Sequence, residues 1–366
     1  MYKHVVFFLL LFAFEYSGFG QMDRRWYYLA LSEVQSGKIE IAQGRLKDSL
    51  LTDPGFAEAW MLLGNIYYNK AQYDTSSEMY ERSIHIKPLP EAYKYLGHCY
   101  FRMDQCLKAS AMYDKYLSYS MDGGISNLAG ICYLREKNYV KAKEYFVQAL
   151  LISDTFHVAH LNLGYIQFSF EDYVSASYHY RKRLEYEPDD KMAMNGLAKS
   201  LEKLGKLSES LDVYRRLLQR SDSFSKAPIL SSMARLYRNS NNPRLALESY
   251  ISAENLDPEN YSYTLEKAMC YLDLSEYDEA LNYFQLYQQE RPEDGRVNLP
   301  LARVYRYKGD KNLCKFYLDK ATVSNPEMAI VWFEMGEWHL RHGKKKDALP
   351  FFEKAHFIDP SFVSPI

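Results

Sequence analysis

Small and large apolar positions return along this chain at a fixed long interval. Gly64 is followed three residues later by Tyr67, Gly97 by Tyr100 and Gly130 by Tyr133, and these glycines stand 33 residues apart. Continued at about 34 residues, the series reads Ala30, Gly64, Gly97, Gly130, Gly164, Ala198, Ala234, Ala268, Ala302 and Gly336. Twelve residues further on comes a second series: Ala42, Ser76, Ala109, Ala142, Ala176, Ser210, Ala246, Ala280, Cys314 and Ala348. Four residues later every unit has a large apolar residue: Leu46, Tyr80, Tyr113, Phe146, Tyr180, Tyr214, Tyr250, Phe284, Leu318 and Phe352. Eight beyond that, Pro54, Pro88, Pro188, Pro258, Pro292, Pro326 and Pro360 close seven units, and Met121, Asp154 and Asp222 stand in the other three.

This pattern predicts a helix, a tight turn, a second helix and a second turn in each unit. Two helices approach closely where they carry small side chains, and large residues at helical spacing fill the volume beside the crossing. Proline cannot continue a helix and restricts the residue before it. The inner turns show as Ser36-Gly37-Lys38, Leu204-Gly205-Lys206, Lys308-Gly309-Asp310 and His342-Gly343-Lys344. A two-residue excess at Ser221 to Lys226 predicts a local irregularity.

The best units run Trp60, Leu63, Gly64, Tyr67, Ser76, Tyr80, Ser83, Pro88 and Trp332, Met335, Gly336, His339, Ala348, Phe352, Ala355, Pro360. In this the chain resembles the tetratricopeptide-repeat (TPR) family. The resemblance runs from Asp23 to Phe362, with repeats starting near residues 23, 57, 90, 123, 157, 191, 227, 261, 295 and 329. Arg183, Leu217, Tyr116 and Tyr287 depart from it, where the family has a small residue late in the second helix. It implies an all-α fold, a right-handed superhelical α-solenoid of stacked helix-turn-helix units, because one helix pair cannot cover its own apolar face. The array would occupy 21–362, with a tail at 363–366. It also implies that first helices line a concave surface, which in this family is the usual ligand site.

Composition changes the picture little. Of 366 residues 47% are apolar, 34 are tyrosine and the net charge is −2. A near-neutral chain has no general attraction for nucleic acid or an acidic membrane. The start of the chain adds more. Lys3 and His4 precede an apolar run from Val5 to Phe14, ended by Glu15, and Gly18 and Gly20 follow. Ten residues rise only about 15 Å as a helix, half of a hydrocarbon core of about 30 Å. The expectation is a signal peptide over residues 1–20, cut before Gln21, leaving no membrane span and an exported chain, periplasmic in a Gram-negative bacterium and otherwise secreted.

The first-helix face offers the candidate chemistry. In order it presents Asn65 and Asn69, then Lys94, Tyr95, His98 and Arg102, then Asn127, Arg135, Asn162 and Tyr165. Further along come Asn195, Lys199, Lys203, Arg235, Arg238, Asn239, Arg303 and Arg306. Asparagine matches the donors and acceptors of an extended peptide backbone. Arginine and lysine hold carboxylates. The expected partner is therefore a protein or peptide segment, acidic where it meets the basic residues. Glu58, Glu202, Glu266, Asp273 and Glu337 share this face and make it mixed. Some relatives clamp a terminal carboxylate. Lys94 and His98 have that spacing, but Leu128 replaces the asparagine required on the next unit, so the role is not carried over. Leu349, Phe351, Phe352 and Phe357 form a second candidate, a contact patch for docking or self-association.

No catalytic, cofactor or metal site is expected. No phosphate loop or nucleophile elbow occurs. His157 with His160, and His339 with His342, have ligand spacing but lack a third ligand. Of five cysteines, Cys99, Cys132 and Cys270 follow the small position by two residues and Cys314 occupies the second small series, so all four read as packed thiols. Cys106 begins a second helix, and the odd total excludes complete internal pairing. The functions left are an exported interaction scaffold, an assembly or accessory subunit of a bacterial envelope or secretion complex, or a non-catalytic partner of a separate enzyme such as a glycosyltransferase.

Overall fold

The structure, a computed structural model, describes residues 24–154, 156–260 and 262–365. The expected signal segment, residues 1–20, lies outside them. The described residues form twenty α-helices and no strand. None of these helices is long and apolar enough to cross a membrane. The chain divides at Tyr186 into two compact units.

Unit 1 holds ten helices: α1 (Arg25–Gln35), α2 (Ile39–Thr52), α3 (Ala57–Asn69), α4 (Tyr73–Ile86), α5 (Pro90–Arg102), α6 (Cys106–Leu117), α7 (Gly123–Arg135), α8 (Tyr139–Ile152), α9 (His157–Ser169) and α10 (Tyr173–Tyr186). Unit 2 continues with α11 (Lys191–Lys203), α12 (Leu207–Arg220), α13 (Ser223–Asn239), α14 (Pro243–Leu256), α15 (Ser262–Asp273), α16 (Tyr277–Glu290), α17 (Asn298–Lys308), α18 (Lys311–Ser324), α19 (Ala329–Arg341) and α20 (Lys345–Ile358). In each unit odd and even helices pair as hairpins, and each hairpin packs on the next.

The two periodic series meet inside each hairpin, more specifically than small against small. A Cβ added to Gly64 would lie 2.8 Å from the ring of Tyr80, and Gly130, Gly164 and Gly336 stand the same way to Phe146, Tyr180 and Phe352. The glycine thus leaves room for an aromatic ring laid across the first helix. The small residue of the second helix sits beside the same point, so that Ser76 Oγ donates to Gly64 O at 2.8 Å and Ser210 Oγ to Ala198 O at 2.8 Å. Tyr80, Phe146 and Phe352 are among the largest fully buried side chains, Tyr180 is 4% exposed, and these rings form the core with the small residues they cover.

Each hairpin turn has one residue with left-handed backbone. It is glycine at Gly37, Gly205, Gly309 and Gly343, and Ala71, Asp104, Lys137, Glu171, Asn241 or Ser275 in the other six. Pro54 and Pro326 mark the connections between units of the pattern. Their carbonyls accept from Trp60 Nε1 and Trp332 Nε1, at 2.9 and 2.8 Å. The excess residues at 221–226 are absorbed by an early start to α13, where the Asp222 carboxylate accepts from the Ser225 amide and Pro228 lies inside the helix.

Candidate partner-binding face

The expected site residues fall on first helices, and most of them are already engaged. In unit 1 the Tyr80 hydroxyl donates to Asn65 Oδ1 at 2.6 Å, leaving that amide only its NH₂ group. Asn69 is exposed. Lys94 reaches Asp122 at 3.5 Å and Glu91 at 4.0 Å and lies over the Tyr116 ring. Burial opposes its charge, but Tyr116, Glu91 and Asp122 together hold its pKa above the usual range. Tyr95 stacks on Tyr80 with ring centres 6.0 Å apart. His98 Nδ1 and the Tyr113 hydroxyl are hydrogen-bonded at 3.0 Å, and burial, helped by Lys94, lowers the pKa of the imidazole. Arg102 is exposed above the Tyr73 ring. Asn127 and Asn162 are half-buried, and the Asn127 Oδ1 is buried with no hydrogen-bond partner among the described residues.

Unit 2 shows what occupies the arginines. Arg235 forms a two-pronged pair with Glu202 at 3.1 and 3.0 Å. Arg238 holds Asp273 at 2.6 Å and Glu266 at 3.4 Å. Arg303 and Arg306 converge on Glu334 at 2.6 and 3.5 Å, and Glu334 is only 8% exposed. Each pair links the first helices of successive hairpins. Three of the acids that the sequence placed on the same face, Glu202, Glu266 and Asp273, are therefore the partners of its arginines, while Glu58 pairs with Lys87 and Glu337 with Arg341. Asn195 is half-buried, and Asn239, Lys199 and Lys203 are exposed. Neither lysine has an ion-pair partner among the described residues.

Sequence reasoning did not single out several groups. Glu334 is one, and its offset of 28 residues from Arg306, the same as that of Glu266 from Arg238, is the signal that would have found it. Phe170, in the turn after α9, is another, and it stands beside Tyr165, which the sequence had placed on this face. Tyr165 and Phe170 stand exposed around Tyr139, with ring centres 6.5 and 6.1 Å from it. In unit 2 a cavity of about 260 Å³ opens beside Glu334, lined by Arg306, Glu337, Trp338, Arg341 and His342 among others. His342 stacks on Trp338 at 4.3 Å, and His339 stacks on Phe351. His160 and His179 face each other with their Nδ1 atoms 2.9 Å apart.

The C-terminal patch needs correction. Phe352 is 1% exposed and lies against Gly336 in the hairpin core, so it cannot meet a partner. Phe351 is stacked between Trp332 and His339. The tail returns over this end, where Phe362 packs on Phe333 at 5.4 Å and its carbonyl contacts His356 Nδ1. Leu349 and Phe357 remain exposed, Phe357 at 88%.

Paired helices stacked on a periodic core, with polar groups displayed along the first helices, define an α-helical repeat protein built for contact. The tetratricopeptide-repeat family profiles match residues 57–88, 161–226 and 232–295. The chain is a tetratricopeptide-repeat protein. Among solved structures it is similar to the C-terminal part of a TPR protein from Cytophaga hutchinsonii, with a TM-score of 0.51 and 15% identity, over 65% of this chain and 98% of that one. It is also similar to PilF of Pseudomonas aeruginosa, with a TM-score of 0.45 and 20% identity, over 56% and 92% of the two chains. A third is YrrB, described as a TPR protein with an unusual peptide-binding site, at 0.46 and 20%, over 55% and 99%. The first shows the shared fold, and no function is carried over from any of them. No curated protein matches the sequence. Proteins of this family are in general interaction scaffolds without catalysis, and the fold supports that role here.

Proposed function

We propose that the chain is an exported scaffold that holds an extended segment of a partner protein along its first helices, without chemistry of its own. The distribution of exposed groups on that face carries the reading. Asn69, Tyr165 and Phe170 in unit 1, and Lys199, Lys203 and Asn239 in unit 2, are exposed, while the arginines around them are paired. Asparagine amides suit a peptide backbone and exposed rings suit its apolar side chains. Lys199 and Lys203, one helical turn apart on α11, suit an acidic residue. Export rests on the apolar run from Val5 to Phe14 and the small residues before Gln21.

The test is capture of partners from the envelope fraction of the source organism on the immobilised chain. Two variants run beside it, Asn69→Ala/Tyr165→Ala and Lys199→Glu/Lys203→Glu. A protein bound by the parent and lost by either variant supports the reading. A protein held equally by all three refutes this face as the site, and capture of the chain itself moves the contact to Leu349 and Phe357. N-terminal sequencing tests export, with a chain beginning at Gln21 expected and one that keeps Met1 in the cytosol against it.

A further inference from the structure

Two junctions between first helices of unit 2 share one register and end differently. Arg238 on α13 meets α15 twice, at Glu266, 28 residues on, and at Asp273, 35 residues on. The second contact is the shorter, 2.6 Å against 3.4 Å. Arg306 on α17 stands where Arg238 does, four residues after the small position of its helix, and Glu334 on α19 again lies 28 residues on. The residue 35 further on is Arg341. A guanidinium thus holds the position of the carboxylate that completes the other junction. Arg306 is left with one hydrogen bond among the described residues, a long one of 3.5 Å to Glu334, and Arg303 shares that carboxylate at 2.6 Å. Arg341 donates to Glu337, one turn back on its own helix.

The cavity of about 260 Å³ lies at this place, lined by both Arg306 and Arg341. A guanidinium has five N–H donors in a planar fork that suits a carboxylate. The acids in the lining are already engaged. Glu334 is 8% exposed with an arginine on each oxygen, Glu337 holds Arg341, and Asp310 accepts from the amides of Asn312 and Leu313 at the start of α18. The lining therefore has more donors than its own acids use. His342 Nδ1 donates to the Trp338 carbonyl at 2.6 Å and its ring stacks on the indole, which fixes an apolar wall beside those donors.

We propose that this cavity seats a glutamate or aspartate side chain of the partner segment, with its carboxylate between Arg306 and Arg341 and its methylene stem against Trp338 and His342. The inference rests on the reading of the first helices as the partner-binding face and assigns one position on it. The partner supplies to Arg306 what Asp273 supplies to Arg238 within the chain.

The test labels the tryptophans of the native full chain with ¹⁵N and follows their 4 indole signals by NMR during titration with N-acetyl-glutamate methylamide. The Trp338 signal, identified by its loss in Trp338→Phe, should move. N-acetyl-glutamine methylamide, which has the shape without the charge, should leave it in place, and acetate, which has the charge without the stem, should bind about tenfold more weakly. Arg341→Gln should weaken the response about tenfold, the loss of one charged hydrogen-bonding partner. Arg341→Asp returns an internal carboxylate to Arg306 and should abolish the response. Both variants change a side chain that is 56% exposed, so the fold should survive them, which far-UV circular dichroism checks. A Trp338 signal that does not move in the parent overturns the proposal, as does a response that survives Arg341→Asp or that acetate matches. Partner capture separates this seat from the face it sits on. A protein lost by Lys199→Glu/Lys203→Glu but kept by Arg341→Asp leaves the face standing and overturns the seat. A Trp338 response that meets the conditions above upholds the seat even where no envelope protein is captured, a result that counts against the face reading alone.

Discussion

The substitution Gly97→Ala tests whether the small positions set the distance at which the helices of a hairpin cross. A Cβ at Gly97 would lie 2.6 Å from Cε1 and 2.7 Å from Cδ1 of Tyr113. Ordinary carbon contacts begin near 3.5 Å, so the ring would have to retreat by about 0.9 Å. It has nowhere to go, being fully buried with its hydroxyl held by His98 at 3.0 Å. Overpacking of this kind costs about 1–3 kcal/mol. Replacing glycine by alanine inside a helix returns about 1 kcal/mol. The net expectation is a loss of about 1 kcal/mol, at the middle of that range. Gly44, inside α2 and exposed, is the control, because a Cβ there meets nothing within 4 Å. Gly44→Ala should therefore gain the full helix term. Tyr113→Leu should restore much of the loss in Gly97→Ala, because the smaller side chain makes room for the added methyl; alanine faces Leu46 and Leu318 in two other hairpins, and where it faces the rings of Tyr214, Tyr250 and Phe284 those hairpins are packed around the methyl already. The assay is urea unfolding followed by far-UV circular dichroism, with slopes compared to confirm a common unfolding reaction. If Gly97→Ala stabilises the chain as much as Gly44→Ala does, the glycine is not what admits the ring, and the reasoning fails.

Three further outcomes follow from the structure. Lys137 has φ of 58° and Gly205 has φ of 72° at equivalent turns; Lys137→Gly should stabilise by about 0.5–1 kcal/mol and Gly205→Ala destabilise by about 1–2 kcal/mol, and urea midpoints moving in the same direction would contradict this. Lys267 is 4% exposed, bound to Glu254 at 2.6 and 2.7 Å and set over the Tyr283 ring. Lys267→Met should cost about 1–3 kcal/mol, less than a fully buried pair because Glu254 keeps some access to water, and adding Glu254→Gln should recover part of it. The third concerns His160 and His179, whose pKa values are lowered, His179 to about 4, first by burial and then by Lys182 and His157 around His160 and by His160 and Lys143 around His179, with Glu185 and Asp172 opposing. The unfolded chain therefore takes up protons first, so stability is full above about pH 6.5 and falls as pH drops toward 4. The melting temperature of unit 1 should decline over that window, His179→Phe should flatten the decline, and an unchanged slope in the variant would count against the pair.

The repeat was legible because its core depends on residue size at fixed positions. Gly64, Tyr80 and Pro88 announce a hairpin without any long-range information. The turns were half legible: Gly205 marks its turn, whereas Lys137 and Glu171 adopt the same left-handed backbone with side chains that conceal it. The face was legible as a list of positions but not as chemistry. Arg238 and Asp273 both read as surface groups, because the contact that joins them spans one repeat and a helix neighbour that local periodicity does not reveal. Phe352 misled for a related reason. Its series position put it in the core, yet its place in the final helix suggested exposure, and packing across Gly336 decided the matter.

The arginine–carboxylate pairs that run between first helices in unit 2 also bear on how quickly a partner arrives there. A surface whose arginines are already matched, as Arg235 is by Glu202 and Arg303 by Glu334, projects little field into solution beyond that of Lys199 and Lys203. Encounter is then governed by diffusion and orientation, near the unsteered range of about 10⁵–10⁶ M⁻¹s⁻¹, and the rate should change little between low and physiological salt. Selectivity on such a surface resides in how long the complex lasts, because an acidic partner that reaches beyond Lys199 and Lys203 to these arginines has to exchange places with carboxylates that are already bound.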